Sequence, residues 1–310
     1  MMALNDINIE GTIMRLLVTG ASGWIGTASV AELIAAGHHV LGLARTDEAA
    51  SKIEKLGAEV VRGSLDDLAG LRAATKRVDG VVHLGYNHDF SQMPAAARTD
   101  LAAIETFGDV LAGSGGPLLI ASGTLGLAPG RVGTERDMPH AAVHPRTGNA
   151  AYALGLAQRG VRAMVVRFAP TVHGAGGDHG FVAVLARIAR EKATSAFVGD
   201  GLNRWPAVNR LDAGKLVQLA IDKAPAGIVL HAVAEEGIAT RDIASALGQY
   251  LEVPATSIAA DRTAEHFGWL GMFFAADAPA SSTLTQDLLG WKPAHATLLE
   301  DIAAGHYPGK

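Results

Sequence analysis

Apolar and polar positions along the chain alternate between two periods. Short apolar runs recur at Leu16–Val18, His39–Ala44, Gly80–Leu84, Pro117–Ser122 and Ala163–Phe168, with a weaker one at Glu59–Arg62. Runs of that length, bounded by glycine and polar residues, read as strands of a buried parallel sheet. Between them the spacing turns helical. Ile25, Ala28, Leu33 and Ile34 share one face and Gly37 ends it; Leu68 and Leu71 open a second such stretch, and a third covers residues 95–112. Strand and helix in regular alternation predict a doubly wound parallel sheet with helices on both faces. After residue 175 the alternation loosens. A helix is expected over Phe181–Glu191, a strand of a smaller C-terminal α/β lobe at Ile228–Val233 and an amphipathic helix over Ala239–Leu251.

The first strand breaks into Thr19-Gly20-x-x-Gly23-x-x-Gly26, and a helix begins at once. The first glycine permits a tight turn, the second clears space for a diphosphate against the backbone, and the third lets helix and strand pack closely. Free amides at the helix start and the helix dipole favour the anion. The end of the second strand bears on which dinucleotide is bound. It reads Ala44-Arg45-Thr46, with Asp47 left as a helix cap. Arg45 suits a ribose 2′-phosphate, so NADP is favoured over NAD.

Thr19-Gly20-x-x-Gly23-x-x-Gly26 resembles the fingerprint of extended and atypical short-chain dehydrogenases/reductases, the NAD-dependent epimerase/dehydratase-like branch. The resemblance runs from Met14 nearly to the end. It implies a Rossmann fold with an extension over residues 1–13, a dinucleotide-binding domain over 14–175 and a mainly substrate-binding lobe over 176–310, with returns to the first domain allowed. It also implies that Thr19, Gly20, Ser22, Gly23, Trp24, Ile25 and Gly26 hold the coenzyme diphosphate. Ser64 and Leu65 then belong to the loop under the adenine, with Asp66 doubling as a helix cap. Leu84, Gly85 and Tyr86 lie beside the nicotinamide ribose, and Pro170, Thr171 and Val172 line the nicotinamide. Leu289-Gly290-Trp291-Lys292-Pro293 is similar to the family's C-terminal signature.

The family's Tyr-x-x-x-Lys pair is missing. Tyr152 is followed by Leu156, and it falls two turns too far along its helix, where packing is the expected role. The segment Val143-His144-Pro145-Arg146 resembles an atypical branch with basic residues in that place. Arg146 can hold ribose hydroxyls but cannot give up a proton. The donor therefore lies among His144, His88 and Tyr86. Either Ser122 or Thr124 takes the place that polarises a substrate oxygen.

Composition narrows the classes. Among 310 residues there is no cysteine, which removes disulfides, thiolate zinc sites and a cysteine nucleophile. A cytoplasmic location is expected. The net charge of −5 gives no nucleic-acid footprint and no polybasic membrane patch. The first residues lack the apolar core of a signal peptide, and no run reaches a membrane span. His38 and His39 read as a solvated turn, and His173, Asp178 and His179 are too loosely spaced for a metal.

The expected function is an NADP(H)-dependent oxidoreductase acting on a carbonyl or secondary alcohol of a small organic molecule. A homodimer is usual in the family. A nucleotide-sugar epimerase or dehydratase is the alternative, with Arg187, Arg204 and Arg210 available for a second diphosphate. A non-catalytic NADP-binding sensor is the third reading. The apolar segment Glu265–Phe274 caps the substrate pocket or forms a dimer face.

Overall fold

The apolar runs become six parallel strands: β1 (Arg15–Thr19), β2 (His39–Ala44), β3 (Glu59–Arg62), β4 (Gly80–His83), β5 (Pro117–Gly123) and β6 (Arg162–Phe168). The helices α1 (Trp24–Ala35), α2 (Asp47–Lys55), α3 (Leu68–Thr75), α4 (Met93–Leu111) and α5 (Thr147–Gly155) connect them. The structure, a computed structural model, describes residues 12–87, 92–139 and 146–308. Beyond β6 come β7 (Thr171–His173), α6 (Phe181–Glu191), β8 (Ser195–Val198), β9 (Arg204–Asn209), α7 (Arg210–Lys223) and β10 (Ile228–Ala232). The described chain continues through β11 (Glu235–Ala239), α8 (Thr240–Leu251), β12 (Ala255–Ile258), α9 (Thr263–Phe267), α10 (Gly271–Phe274), α11 (Thr283–Leu289) and α12 (Leu298–Ala303).

The main sheet has the order β10-β6-β5-β4-β1-β2-β3, with every pairing parallel. One face packs on α1, α2 and α7, the other on α3, α4 and α5. Leu16, Leu17 and Val18 are sealed from water. Burying each such side chain is worth about 1.5–3 kcal/mol. The chain leaves β1 toward β2 and β3, then returns to β4 on the other side of β1. At this reversal the carboxyl ends of β1 and β4 open a crevice, the place where doubly wound sheets take ligands. A second core gathers Trp205, Phe267, Phe274 and Tyr307 among α6, α8, α9 and α12.

The structure departs from the sequence reading at several points. Ile228–Ala232 is not a strand of the small lobe: it adds to the main sheet as β10, beside β6. Its preceding helix, α7, is tied to α1, where a side chain at Gly214 would collide with the Ala28 backbone at 2.8 Å. His38 is buried rather than solvated, its Nδ1 accepting from Met14 N and its Nε2 2.8 Å from Asp222 Oδ1. The α2 cap is Thr46, not Asp47, because the threonine hydroxyl reaches Ala49 N while Asp47 turns to Arg62. The α3 cap is Asp67, not Asp66, whose carboxylate accepts from Thr99 instead.

Candidate functional site

The glycine loop is as tight as backbone allows. Gly20 sits at φ +69°, and a side chain there would lie 2.7 Å from Gly85 N. A Cβ on Gly26 would lie 1.9 Å from Gly20 O. The amide of Gly23 donates to Gly20 O at 2.9 Å, and α1 starts at the next residue with no side chain capping it and no acidic residue in its first turn. The first-turn amides, left unpaired by helix geometry, thus meet no carboxylate of their own. This is a cradle that a Cβ would fill, and it fits a diphosphate.

Helices α1 and α7 run parallel with their amino ends together. Arg210, the first residue of α7, stacks its guanidinium 4.5 Å from the Trp24 ring centroid, and the indole N–H donates to Val172 O at 2.7 Å. Gly174 and Gly176 wrap the same arginine. Arg210 therefore adds positive charge at the amino end of α1, with no carboxylate partner among the described residues. The other two arginines considered for a second diphosphate are engaged: Arg187 pairs with Glu191, and Arg204 forks onto Asp277 at 3.1 and 2.9 Å.

At the carboxyl end of β2, Arg45 is exposed and without a carboxylate partner among the described residues. Gly63 N donates to Ala44 O, which brings half-buried Ser64 and Leu65 beside that strand end. At the other side, Ser122 is half-buried at the end of β5, whereas Thr124 is 2% exposed and its hydroxyl has no hydrogen-bond partner. Pro170 and Val172 are half-buried, and Thr171 is buried. His88 and His144 lie outside the described residues.

Between these ends runs a buried polar chain that sequence reasoning missed. Gly85 N donates to Thr19 Oγ1 at 3.0 Å, and that hydroxyl lies 2.7 Å from His83 Nδ1. His83 Nε2 lies 3.3 Å from Asp100 Oδ1. Asp100 also accepts from Asn149 Nδ2 at 2.7 Å and from Arg146 through two nitrogens at 3.0 and 3.3 Å. Burial pushes the Asp100 carboxyl up, but the His83 contact and the Arg146 charge outweigh it and hold it at about 2. Arg146 in turn lies 4.0 Å from the Tyr86 ring centroid. Burial raises the Tyr86 phenol, with the Arg146 charge opposing it. The signal for this chain was present: Asp100 falls on the apolar stripe Ala96, Ala97, Ala103 and Ile104 of α4.

Tyr152 corrects its expected role, since it stands on the outer side of α5, 36% exposed. The helix buries Asn149, Ala150 and Ala153 instead. Tyr152→Phe is expected to change stability by no more than about 0.5 kcal/mol, as read by chemical denaturation. A depression lies elsewhere among the described residues, at the amino ends of the strands among Thr12, Lys76, Asp79, Arg162, Asp222 and Lys223. Among the described residues no group of three His, Cys, Asp or Glu could hold a metal, and no helix is long and apolar enough to cross a membrane.

Residues 16–232 match the family described as NAD dependent epimerase/dehydratase. The chain is 45% identical to an uncharacterised protein of Schizosaccharomyces pombe, over 95% of this chain and 100% of that protein. It is 42% identical to an uncharacterised protein of Saccharomyces cerevisiae, over 94% and 99%. Among solved structures it resembles MoeE5 in complex with UDP-glucose and NAD, with a TM-score of 0.72, 21% identity and coverage of 95% and 98%. A parallel sheet with a glycine cradle at its switch point, and a family match spanning that sheet, place this chain in the NAD-dependent epimerase/dehydratase family of the short-chain dehydrogenase/reductase superfamily.

Proposed function

We propose that this protein is an NADP(H)-linked oxidoreductase that interconverts a carbonyl and a secondary alcohol on a small organic molecule. The observation that carries the reading is the uncapped, acid-free amino end of α1 behind the Gly20–Gly26 cradle, with Arg210 beside it. The solved structure of MoeE5 carries NAD, which supports a dinucleotide in the same kind of fold. When bound, the nicotinamide supplies or takes the hydride.

The chain's own residues do the rest. The first-turn amides of α1 and the Arg210 guanidinium bind the diphosphate. Arg45 binds the ribose 2′-phosphate. Ser122 is the reachable hydroxyl at the end of β5 and polarises the substrate oxygen, with Thr124 sealed behind it. Tyr86, with a cation stacked on its ring, gives the proton in reduction. Its partner Arg146 stays charged and holds ribose hydroxyls.

The nucleotide-sugar reading needs a second anion clamp. Arg187 and Arg204 already hold carboxylates, so neither supplies it, and Arg210 stands at the coenzyme cradle. The first test is isothermal titration with NADPH and NADH, followed by hydride transfer to a panel of ketones and aldehydes. Arg45→Ala is expected to weaken NADPH by about tenfold or more and NADH little; equal losses would remove the assignment. The phenol of Tyr86 is raised above its ordinary value, and the protonated form is the donor. Reduction should therefore hold through neutral pH and fall only in strong alkali, beyond about 10. A histidine donor would cut the rate near about 6.5 instead.

A further inference from the structure

We propose that His83 is a positioning residue that ties the coenzyme loop to Arg146, as the tautomer with its proton on Nε2. The proposal rests on the coenzyme reading above for its consequence, but not for its geometry.

The assignment follows from counting donors and acceptors along the buried chain. Asp100 is ionised and accepts only. Three hydrogen bonds converge on it, one from Asn149 Nδ2 and two from nitrogens of Arg146, and His83 Nε2 stands 3.3 Å from Oδ1 at ion-pair distance, without hydrogen-bond alignment, where a bare nitrogen would face the carboxylate charge. The His83 nitrogen that faces it therefore carries the hydrogen. Its other nitrogen, Nδ1, is then an acceptor and takes the Thr19 hydroxyl hydrogen at 2.7 Å. Thr19 Oγ1 is left with lone pairs, and one receives the Gly85 amide at 3.0 Å. Up to the ring each hydrogen points the same way, from Gly85 through Thr19 to His83 Nδ1, and the proton on Nε2 then faces the Asp100 charge across 3.3 Å. The reverse tautomer would put a bare nitrogen against a carboxylate in a site where His83 is 0% and Asp100 1% exposed.

The two ends of this line are the two halves of the proposed site. Thr19 and Gly85 flank Gly20, the turn of the diphosphate cradle. Asp100 fixes the Arg146 guanidinium, which lies against Tyr86. His83 is the link in the line that contacts both Thr19 and Asp100, so it sets Arg146 against a loop that the coenzyme also grips.

Two measurements test this. Nitrogen-15 spectroscopy of the ligand-free protein at neutral pH is expected to show His83 Nε2 protonated and Nδ1 bare; the reverse tautomer or a doubly protonated ring overturns the proposal. The second compares two amides. His83→Asn keeps an acceptor near Thr19 but no longer reaches Asp100. His83→Gln keeps a donor for Asp100. We expect His83→Asn to bind ADP-ribose as the parent does and NADPH on the order of tenfold more weakly, with His83→Gln restoring NADPH. Equal losses for both ligands in both variants mean a merely structural histidine and overturn the proposal. A parent protein that binds neither ligand defeats the coenzyme reading, while the tautomer result still decides the wiring of the chain.

Discussion

Gly26→Ala is expected to destabilise the protein by about 3 kcal/mol, the upper end for forcing extra volume into a packed interior, and to abolish measurable dinucleotide binding. The new Cβ would lie 1.9 Å from Gly20 O, 2.8 Å from Gly20 C and 3.0 Å from Ala21 Cα. All three are backbone atoms, so no side chain can swing aside. Gly20 cannot retreat either. It holds φ +69° and already stands where a Cβ would touch Leu84 and Gly85 backbone at 2.7–2.9 Å. The strain must move α1 off β1, and the helix buries Ala28, Val30 and Leu33 in the core on that side. Gly23→Ala is the control. Its Cβ would approach only Gly20 O, at 3.1 Å, and the residue is exposed. That variant is expected to fold with near-parental stability and still bind the dinucleotide more weakly, since the proposed reading brings the diphosphate past this residue. Urea unfolding and calorimetric titration of both variants separate packing from ligand contact. A Gly26→Ala protein with parental stability and affinity would contradict the cradle as described.

The sheet was legible because its strands are apolar on both faces and its helices carry one apolar stripe, so the alternation fixes the class before any motif is read. The glycine cradle was legible for the same local reason: three glycines so spaced at a strand-to-helix turn strip the side chains from a helix start and leave its amides open to an anion. What the sequence hid was long-range pairing. Ile228–Ala232 looks like any short strand, and its place beside β6 depends on α7 docking against α1 through Gly214. His38 looked like a turn residue because its partner, Asp222, is at the far end of α7. Arg204 and Arg210 looked equivalent from spacing. One folds onto Asp277 and the other onto Trp24, and only the tertiary contacts distinguish an arginine that ties the lobe together from one beside the cradle. The polar chain through His83 was partly visible, as a histidine in a buried strand and an aspartate on an apolar helix face. Such residues in a core need partners, and periodicity does not say where those partners are.

Asp100→Asn should lower stability by about 3–5 kcal/mol, the range for breaking a buried ion pair from one side. The amide would turn a hydrogen-bearing nitrogen toward at least one of Arg146 and Asn149, both of which donate to the native carboxylate. The loss must also carry a pH signature. The native carboxyl sits at about 2, below its ordinary value of 3.8. A depressed carboxyl stabilises the fold above its unfolded pKa and loses that contribution as pH falls through the native value. The shift corresponds to about 2 kcal/mol, fully present above about pH 4 and fading toward about pH 2. Urea midpoints for parent and variant should therefore converge across that acid window and stay apart at neutral pH. A gap that is constant with pH would mean that the carboxylate charge is not what holds this cluster. Arg146→Met closes the cycle: if the two side chains act as one unit, the double variant should be less damaged than the sum of the single ones by about 1–3 kcal/mol. Independence of the two losses would mean that Arg146 is held by Tyr86 and not by Asp100, and the line from the glycine loop would end at Asp100.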